Sequence, residues 1–528
     1  MRTISNVLLA AVSAALMIPA AARAQAGDAA AFVLRQGGDT VAVESFRRTA
    51  AGVQGELTIP GRARMVFTMS TGPGAAVTAM ELRVWGPGAP DSAPPLQHAT
   101  VAYAGDSAVV TTSAGGQRRV QGVRGGAGAV PVFSPSAVAI EQLLMRARAI
   151  GGRDSTLVPA FALATAQTTQ ARVAWLGDSA TVTLGGVTVR ARTGADGRLL
   201  GAAIPSQNLL IERVAGTPAL AAAARPDYSP PAGAPYTAEE VRVPTPAGHR
   251  LAGTLTLPRE RRGRIPAVVT ITGSGSQDRD EAIPLVPGYR PFRQVADTLG
   301  RRGIAVLRMD DRGHGGSEGD GMKATSRDFA GDIAAAVAYL RTRPEIDPDR
   351  IALLGHSEGG IIAPMVAADD PRVRALVLIA ATSRTGRRII DYQIRNQVRQ
   401  DTAIPEARRD SAYRANMAQF DSAGAQMPWI PFFVDYDPLP TARRVRQPVL
   451  ILQGATDQQV TADQAPELEA ALRQAGNRDV TMRVFPNLNH LMIVDPVGTP
   501  RGYNALPTRV VDPPVLGMIA DWLAAKLR

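Results

Sequence analysis

The chain has no cysteine among its 528 residues. That excludes disulfide staples, a thiol nucleophile and a lipid-accepting cysteine behind a leader. Histidine is nearly as scarce: His98, His249, His314, His356 and His490 are scattered, without the paired spacing of a metal site. No metal and no cofactor are therefore expected. Nearly every cation is arginine, and the formal charge of +11 is spread along the chain rather than clustered. With aromatics at only 5% and no basic stripe interleaved with them, a solvated basic surface is expected and no nucleic-acid partner.

Long hydrophobic runs are also missing. The longest, Val7 to Ile18, is too short to span a bilayer; it follows Arg2 and precedes the small-x-small site Ala22-Arg-Ala24. Residues 1–24 thus read as a secretory signal, predicting an exported protein, periplasmic or extracellular, with no stable membrane insertion after its removal. A chain this long exceeds one compact core, so more than one domain is expected.

From residue 25 to about 220 the sequence is rich in Val, Thr, Ala and Gly. Short alternating runs such as Met65-Val-Phe-Thr-Met and Met80-Glu-Leu-Arg-Val-Trp are broken by Gly and Pro. Period-two alternation of this kind predicts antiparallel strands joined by hairpins. Val101-Ala-Tyr-Ala-Gly-Asp-Ser and Val173-Ala-Trp-Leu-Gly-Asp-Ser echo one another, either as a duplicated β-unit or as convergent hairpins. Ser136 to Ile150 carries apolar residues at helical spacing. No cluster of acids, bases or nucleophiles is visible in this region, which reads as a packing or substrate-holding domain.

Residues 221–235, alanine-rich and then Arg-Pro-Asp-Tyr-Ser-Pro-Pro-Ala-Gly-Ala-Pro, read as a linker. After it the rhythm changes. Near-continuous apolar strands (Ala267 to Thr272, Ile304 to Met309, Ile351 to Gly355, Ala375 to Ala380, Val449 to Gln453, Val480 to Phe485) alternate with helices. This predicts a mostly parallel sheet covered on both faces. Pro364 should kink the helix after Gly360 or restrict it to one side. Residues 382–446 interrupt the rhythm as a helical insertion placed as a lid. Its aromatics, around Trp429 to Tyr436, either line a pocket or only anchor the insertion.

Gly355-His-Ser357-Glu-Gly359-Gly360 follows a strand and opens a helix, the layout that raises a serine above a sheet edge. Gly315-Gly-Ser317-Glu-Gly319 has the same spacing but lies in a polar loop, so Ser357 is the expected nucleophile. A serine hydroxyl needs a base, and the base an orienting acid. His356 should point away from its neighbour; His98 lies in the other domain, His249 in a hairpin turn and His314 in a glycine-rich loop. His490, just past the last strand, remains as the base. Asp457, the first carboxylate after the preceding strand, is the expected acid, with Asp435 and Asp437 as rivals in the insertion. The oxyanion donors are expected to be the Glu358 amide and the Ser274 amide, with Gly275 next to it as the alternative.

The segments Thr272-Gly-Ser-Gly-Ser-Gln-Asp-Arg-Asp-Glu281, Asp311-Arg-Gly-His-Gly-Gly-Ser317, Gly355 to Gly360, Gly454-Ala-Thr-Asp457 and Asn489-His490 resemble the serine α/β-hydrolase superfamily. Within it the likeness is to exported esterases and to acyl-thioesterase and serine-aminopeptidase-like groups. The resemblance spans residues 236–528 and implies the α/β-hydrolase fold, with Ser357, Asp457 and His490 in its chain order. It implies cleavage of a small-molecule carboxylic ester first, with a peptide or thioester as alternatives. Glu358, where oligopeptidase relatives tend to carry an aromatic, lowers the peptidase reading. A rival of another class is a non-catalytic binding protein of the cell envelope.

Overall fold

The computed structural model describes residues 28–528, apart from short stretches at 37–38, 61–62, 87–88, 91, 106, 115–116, 125–127, 153, 164–166, 186, 217–225, 284–285, 287, 402–403 and 425–426. The expected signal segment and part of the expected linker lie outside the described residues. Contacts divide the chain into two units, the first essentially up to Ala221 and the second from Ala222 to Arg528.

In the first unit, fifteen strands form one sheet among the described residues. Two meanders meet where the first strand, Asp28–Gln36, pairs antiparallel with the last, Leu209–Ala215. Only the short Val130–Val132 pairs in parallel, with Ser155–Ala162. The two echoed segments form hairpins in identical register, Val101 opposite Val110 and Val173 opposite Val182. The helix Ala137–Ile150 buries Val138, Leu143, Leu144 and Ala147 in the apolar core of the sheet.

The first unit does contain the charge cluster that its sequence hides. The Glu44 carboxylate accepts from the Ala137 and Val138 amides and from the Ser136 hydroxyl, filling the free donors at the N-terminus of that helix. Glu141, on the same helix, pairs with Arg48 at 3.0 Å and Arg213 at 2.7 Å and accepts from the Leu199 amide. Glu44 and Arg48 come from one strand, Glu141 from the helix and Arg213 from the last strand, segments far apart in the chain.

The second unit is built on an eight-stranded sheet: β1 (Tyr236–Pro244), β2 (Arg250–Pro258), β3 (Ile265–Ile271), β4 (Ala305–Met309), β5 (Ile346–His356), β6 (Ala375–Ile379), β7 (Val449–Gly454) and β8 (Val480–Phe485). The order across the sheet is 1-2-4-3-5-6-7-8, with β3 to β8 all parallel. Apolar runs without alternation are required here, because successive side chains enter different cores. Ile351 and Leu353 join one buried cluster, Ala352 and Leu354 the other. Helices cover both faces; α1 is Pro291–Gly300, α2 Ser326–Thr342 and α3 Gly359–Asp369. The α2 N-terminus carries a full capping box between Thr325 and Asp328. Helix α3 continues past Pro364 to Asp369 with nearly every residue buried, so it is not restricted to one side of the proline and tertiary packing outweighs the lost backbone bond. The insertion contributes α4 (Gly386–Gln400), α5 (Arg409–Gly424), α6 (Trp429–Asp435) and α7 (Pro438–Ala442) before β7. No helix among the described residues is long and apolar enough to cross a membrane.

Candidate active site

Parallel register brings the ends of the central strands level. Gly355 lies opposite Ile271 on one side and Leu378 on the other, and Gly454 lies opposite Phe485. Whatever follows these positions must therefore emerge along one edge of the sheet. Ser357, Gly273, Asp457 and His490 all do so.

Ser357 sits in the turn between β5 and α3 at a φ of +54°, a left-handed conformation that costs a side-chain-bearing residue about 1–3 kcal/mol. Its neighbours hold it there. The Ser357 amide donates to the Ile379 carbonyl at 2.8 Å, and its carbonyl accepts from the Gly360 amide at 2.9 Å. A side chain at Gly355 would meet the Gly359 carbonyl at 2.1 Å, and one at Gly359 would meet the Ile271 carbonyl at 2.2 Å. The glycines of the motif are thus demanded by backbones passing in near contact.

His490 follows β8 on a loop tied by Asn489, whose side-chain oxygen accepts from the Leu491 and Ile493 amides. Its Nδ1 is 2.8 Å from Asp457 Oδ2; a carboxylate only accepts, so Nδ1 carries the proton and Nε2 is left as the free acceptor in the neutral ring. Asp457 is anchored in turn. Oδ1 accepts from the Gln459 and Val460 amides, and Oδ2 also accepts from Gln453 Nε2. Asp457 and His490 are both buried. The rivals lie elsewhere: Asp437 caps α7 through the Leu439 amide, and Asp435 is exposed at the end of α6.

Ser357 and His490 share a cavity of about 250 Å³, which Gly273, Ser274 and Glu358 also line. The loop after β3 presses on the serine, since a methyl group at Gly273 would be 3.3 Å from Ser357 Cβ. The Gly273 amide is already used, donating to Glu281 Oε1 at 2.7 Å. Among the described residues, the Ser274 and Glu358 amides donate to no backbone or side-chain acceptor. Gly275 is exposed and does not line the cavity. The insertion supplies Ile389, Ile390, Gln393, Trp429 and Phe433 to the wall. Both readings of its aromatics hold, since Phe433 also belongs to the core beneath. Trp429 Nε1 and Ser326 Oγ both donate to Glu358 Oε1, at 2.7 and 2.6 Å.

The remaining histidines separate cleanly. His98 pairs with Glu81 and His249 with Asp332, and His314 faces Ser276. His356 does not point away, as its place beside the serine suggested. Its ring lies against that of His490 at 4.8 Å between centroids, and it lines the cavity. The strand ends at His356, where the turn rotates its side chain toward the β8 loop, a twist invisible to strand alternation. Ser317, the second serine of like spacing, is locked in structural work: its hydroxyl donates to the Asp310 carbonyl and accepts from the Ala252 amide.

A family model described as serine aminopeptidase, S33, matches residues 288–419, a span that holds Ser357 but ends before Asp457 and His490. Esterase EstD of Thermotoga maritima is 28% identical over 283 residues, covering 52% of this chain and 65% of EstD. The peptidase YuxL of Bacillus subtilis, itself uncharacterized, is 25% identical over 268 residues, covering 48% of this chain and 35% of YuxL. Among solved structures, the Pyrococcus furiosus esterase Pf2001 aligns with a TM-score of 0.41 at 17% identity, over 56% of this chain and 92% of that one. Together the family model and EstD show a likeness of this chain to the serine α/β-hydrolase superfamily.

Proposed function

We propose that the chain is an exported serine hydrolase that cleaves small carboxylic esters through an acyl-enzyme. The observation that carries this reading is the buried His490–Asp457 hydrogen bond in the wall of the cavity that also holds the strained Ser357. Ser357 Oγ attacks the ester carbonyl carbon while His490 Nε2 takes its proton; Asp457 holds the resulting imidazolium in place. The Glu358 and Ser274 amides hold the oxyanion, each worth on the order of 10²–10³ in turnover. As the tetrahedral centre collapses, the C–O bond to the leaving group breaks and His490 protonates the departing alcohol. Water, deprotonated by His490, then adds to the acyl carbon and releases the acid, returning the proton to Ser357.

The cavity wall is mostly apolar and, among the described residues, contains no arginine or lysine. A neutral acyl group therefore fits it better than one carrying a carboxylate. The name of EstD agrees with an ester substrate. The Arg2, Val7 to Ile18 and Ala22-Arg-Ala24 pattern supports export, with a β-rich domain over 25–220, a linker over 221–235 and the hydrolase domain over 236–528. Hydrolysis of p-nitrophenyl acetate and butyrate by the purified protein, beside peptide and thioester panels, tests the reading. Wild-type protein that neither turns over an ester nor takes a fluorophosphonate on Ser357 would refute it and favour the binding-protein alternative.

A further inference from the structure

We propose that Glu281 and His356 form a charged positioning clamp joining the oxyanion loop to the loop of the catalytic histidine. The inference rests on the hydrolase reading and adds two residues to it. Three hydrogen bonds run in series. The Gly273 amide donates to Glu281 Oε1 at 2.7 Å, His356 Nδ1 lies 2.9 Å from the same oxygen, and His356 Nε2 lies 3.0 Å from the His490 carbonyl. The chain thus spans from the residue against Ser357 to the backbone of the base.

The proton count follows from the acceptors. A carbonyl cannot donate, so His356 Nε2 carries a proton. Glu281 Oε1 already accepts from Gly273, so it accepts from Nδ1 as well. Both ring nitrogens then donate, which makes His356 an imidazolium against a carboxylate. Burial opposes that charge, but the Glu281 carboxylate and the His490 carbonyl more than offset it, holding the proton above the ordinary histidine range. The other titratable groups facing the pair are Asp457 from the loop after β7, His490 from the loop after β8, Tyr289 before α1, and Asp311 after β4.

Glu281 is poorly suited to a purely structural role. It sits at a φ of +55°, and its Oε2 is buried with no hydrogen-bond partner among the described residues. Such a site is retained where the constraint itself is used. Glutamine cannot replace it. An amide oxygen at Oε1 can accept both bonds, but without the carboxylate the imidazole loses its second proton at ordinary pH and must give up one of its two contacts.

The test compares wild type, Glu281→Gln, Glu281→Ala and His356→Leu in p-nitrophenyl acetate hydrolysis from pH 5.5 to 9, with circular dichroism for fold and Ser357→Ala as the blank. Glu281→Ala and His356→Leu should lower kcat about 10²-fold with KM within a few-fold, the cost of misplacing reacting groups by an ångström. The ratio of wild-type to Glu281→Gln kcat should rise with pH as the uncoupled histidine deprotonates. A flat ratio near one in Glu281→Gln would overturn the clamp, as would wild-type kcat in folded His356→Leu. If Glu281→Ala does not fold, the Glu281→Gln profile decides. Loss of the hydrolase reading looks different: the wild type would be inactive, or Ser357→Ala active.

Discussion

His490 Nδ1 lies 2.8 Å from Asp457 Oδ2, and the aspartate's other oxygen is held by two backbone amides of its own loop. Asp457 is therefore anchored by partners other than His490. Asp457→Asn keeps one acceptor for the Gln459 and Val460 amides but presents an amide NH₂ to both His490 and Gln453. Turnover of p-nitrophenyl acetate should fall about 10³–10⁴-fold through the wrong tautomer, with the melting transition little changed. Asp435→Asn, in the exposed end of α6, should keep full activity; a comparable loss there would reassign the acid.

Ser357 stores strain that the proposed reaction uses. Ser357→Ala should abolish ester hydrolysis and fluorophosphonate labelling while leaving the fold intact. Ser357→Gly should be equally inactive yet more stable than Ser357→Ala by about 1 kcal/mol, because glycine accepts a positive φ. Equal melting temperatures for the two variants would contradict the strained turn.

Ser317→Ala separates the two serines of like spacing. It should keep turnover near wild type and lose stability instead, by about 1–3 kcal/mol, since the buried Ala252 amide would be left without its acceptor. Chemical denaturation beside the ester assay reads both effects. A catalytic collapse in a folded Ser317→Ala protein would overturn the choice of Ser357.

Trp429 forms cavity wall and ties α6 to Glu358. Trp429→Ala should widen the acyl space and move the preference in kcat/KM toward longer p-nitrophenyl esters. Trp429→Phe, which loses the hydrogen bond but keeps an aromatic ring in the wall, should change the chain-length profile less than Trp429→Ala. An unchanged profile in Trp429→Ala would mean that the acyl group lies elsewhere.

The first unit carries its own pH dependence. Burial, only partly opposed by hydrogen bonds from Ser136 and the Val138 and Ala137 amides, raises the Glu44 carboxyl to about 7. A carboxyl raised in the folded state binds its proton more tightly there than in the unfolded chain, so stability is greatest below the unfolded value. It declines as pH rises from about 4.5 through about 7 and is level above. Calorimetry of the full chain between pH 5 and 8 should show the transition of this unit falling, and Glu44→Gln should flatten the fall. His356 contributes in the same sense to the second unit: its stabilisation is complete below the ordinary histidine range and is lost as pH rises through its raised value.

The strand-turn-helix around Ser357 was legible because its cause is local. A run of apolar residues, then small residues where backbones touch, leaves few other conformations open. His490 and Asp457 were legible for a related reason: in a parallel sheet, the residue just past each strand must appear at the same edge. The Glu281–His356 contact and the Glu44–Glu141 cluster were not legible. They depend on side-chain directions at strand ends and on which distant segments a twisted sheet brings face to face, and neither has a period in the chain.

What the amino-acid order determined alone is the alternation of apolar strands and helices, the glycine-flanked serine, and the order in which the proposed nucleophile, acid and base arrive. These follow from backbone sterics and from the period of hydrophobic burial, which act within a few residues. Tertiary structure decided the rest: that Ser317 is a brace, that the aromatics of the insertion both wall a cavity and anchor it, and that the His356 ring lies against that of His490. Each depends on close packing between segments tens to hundreds of residues apart, where a shift of an ångström changes which polar groups meet.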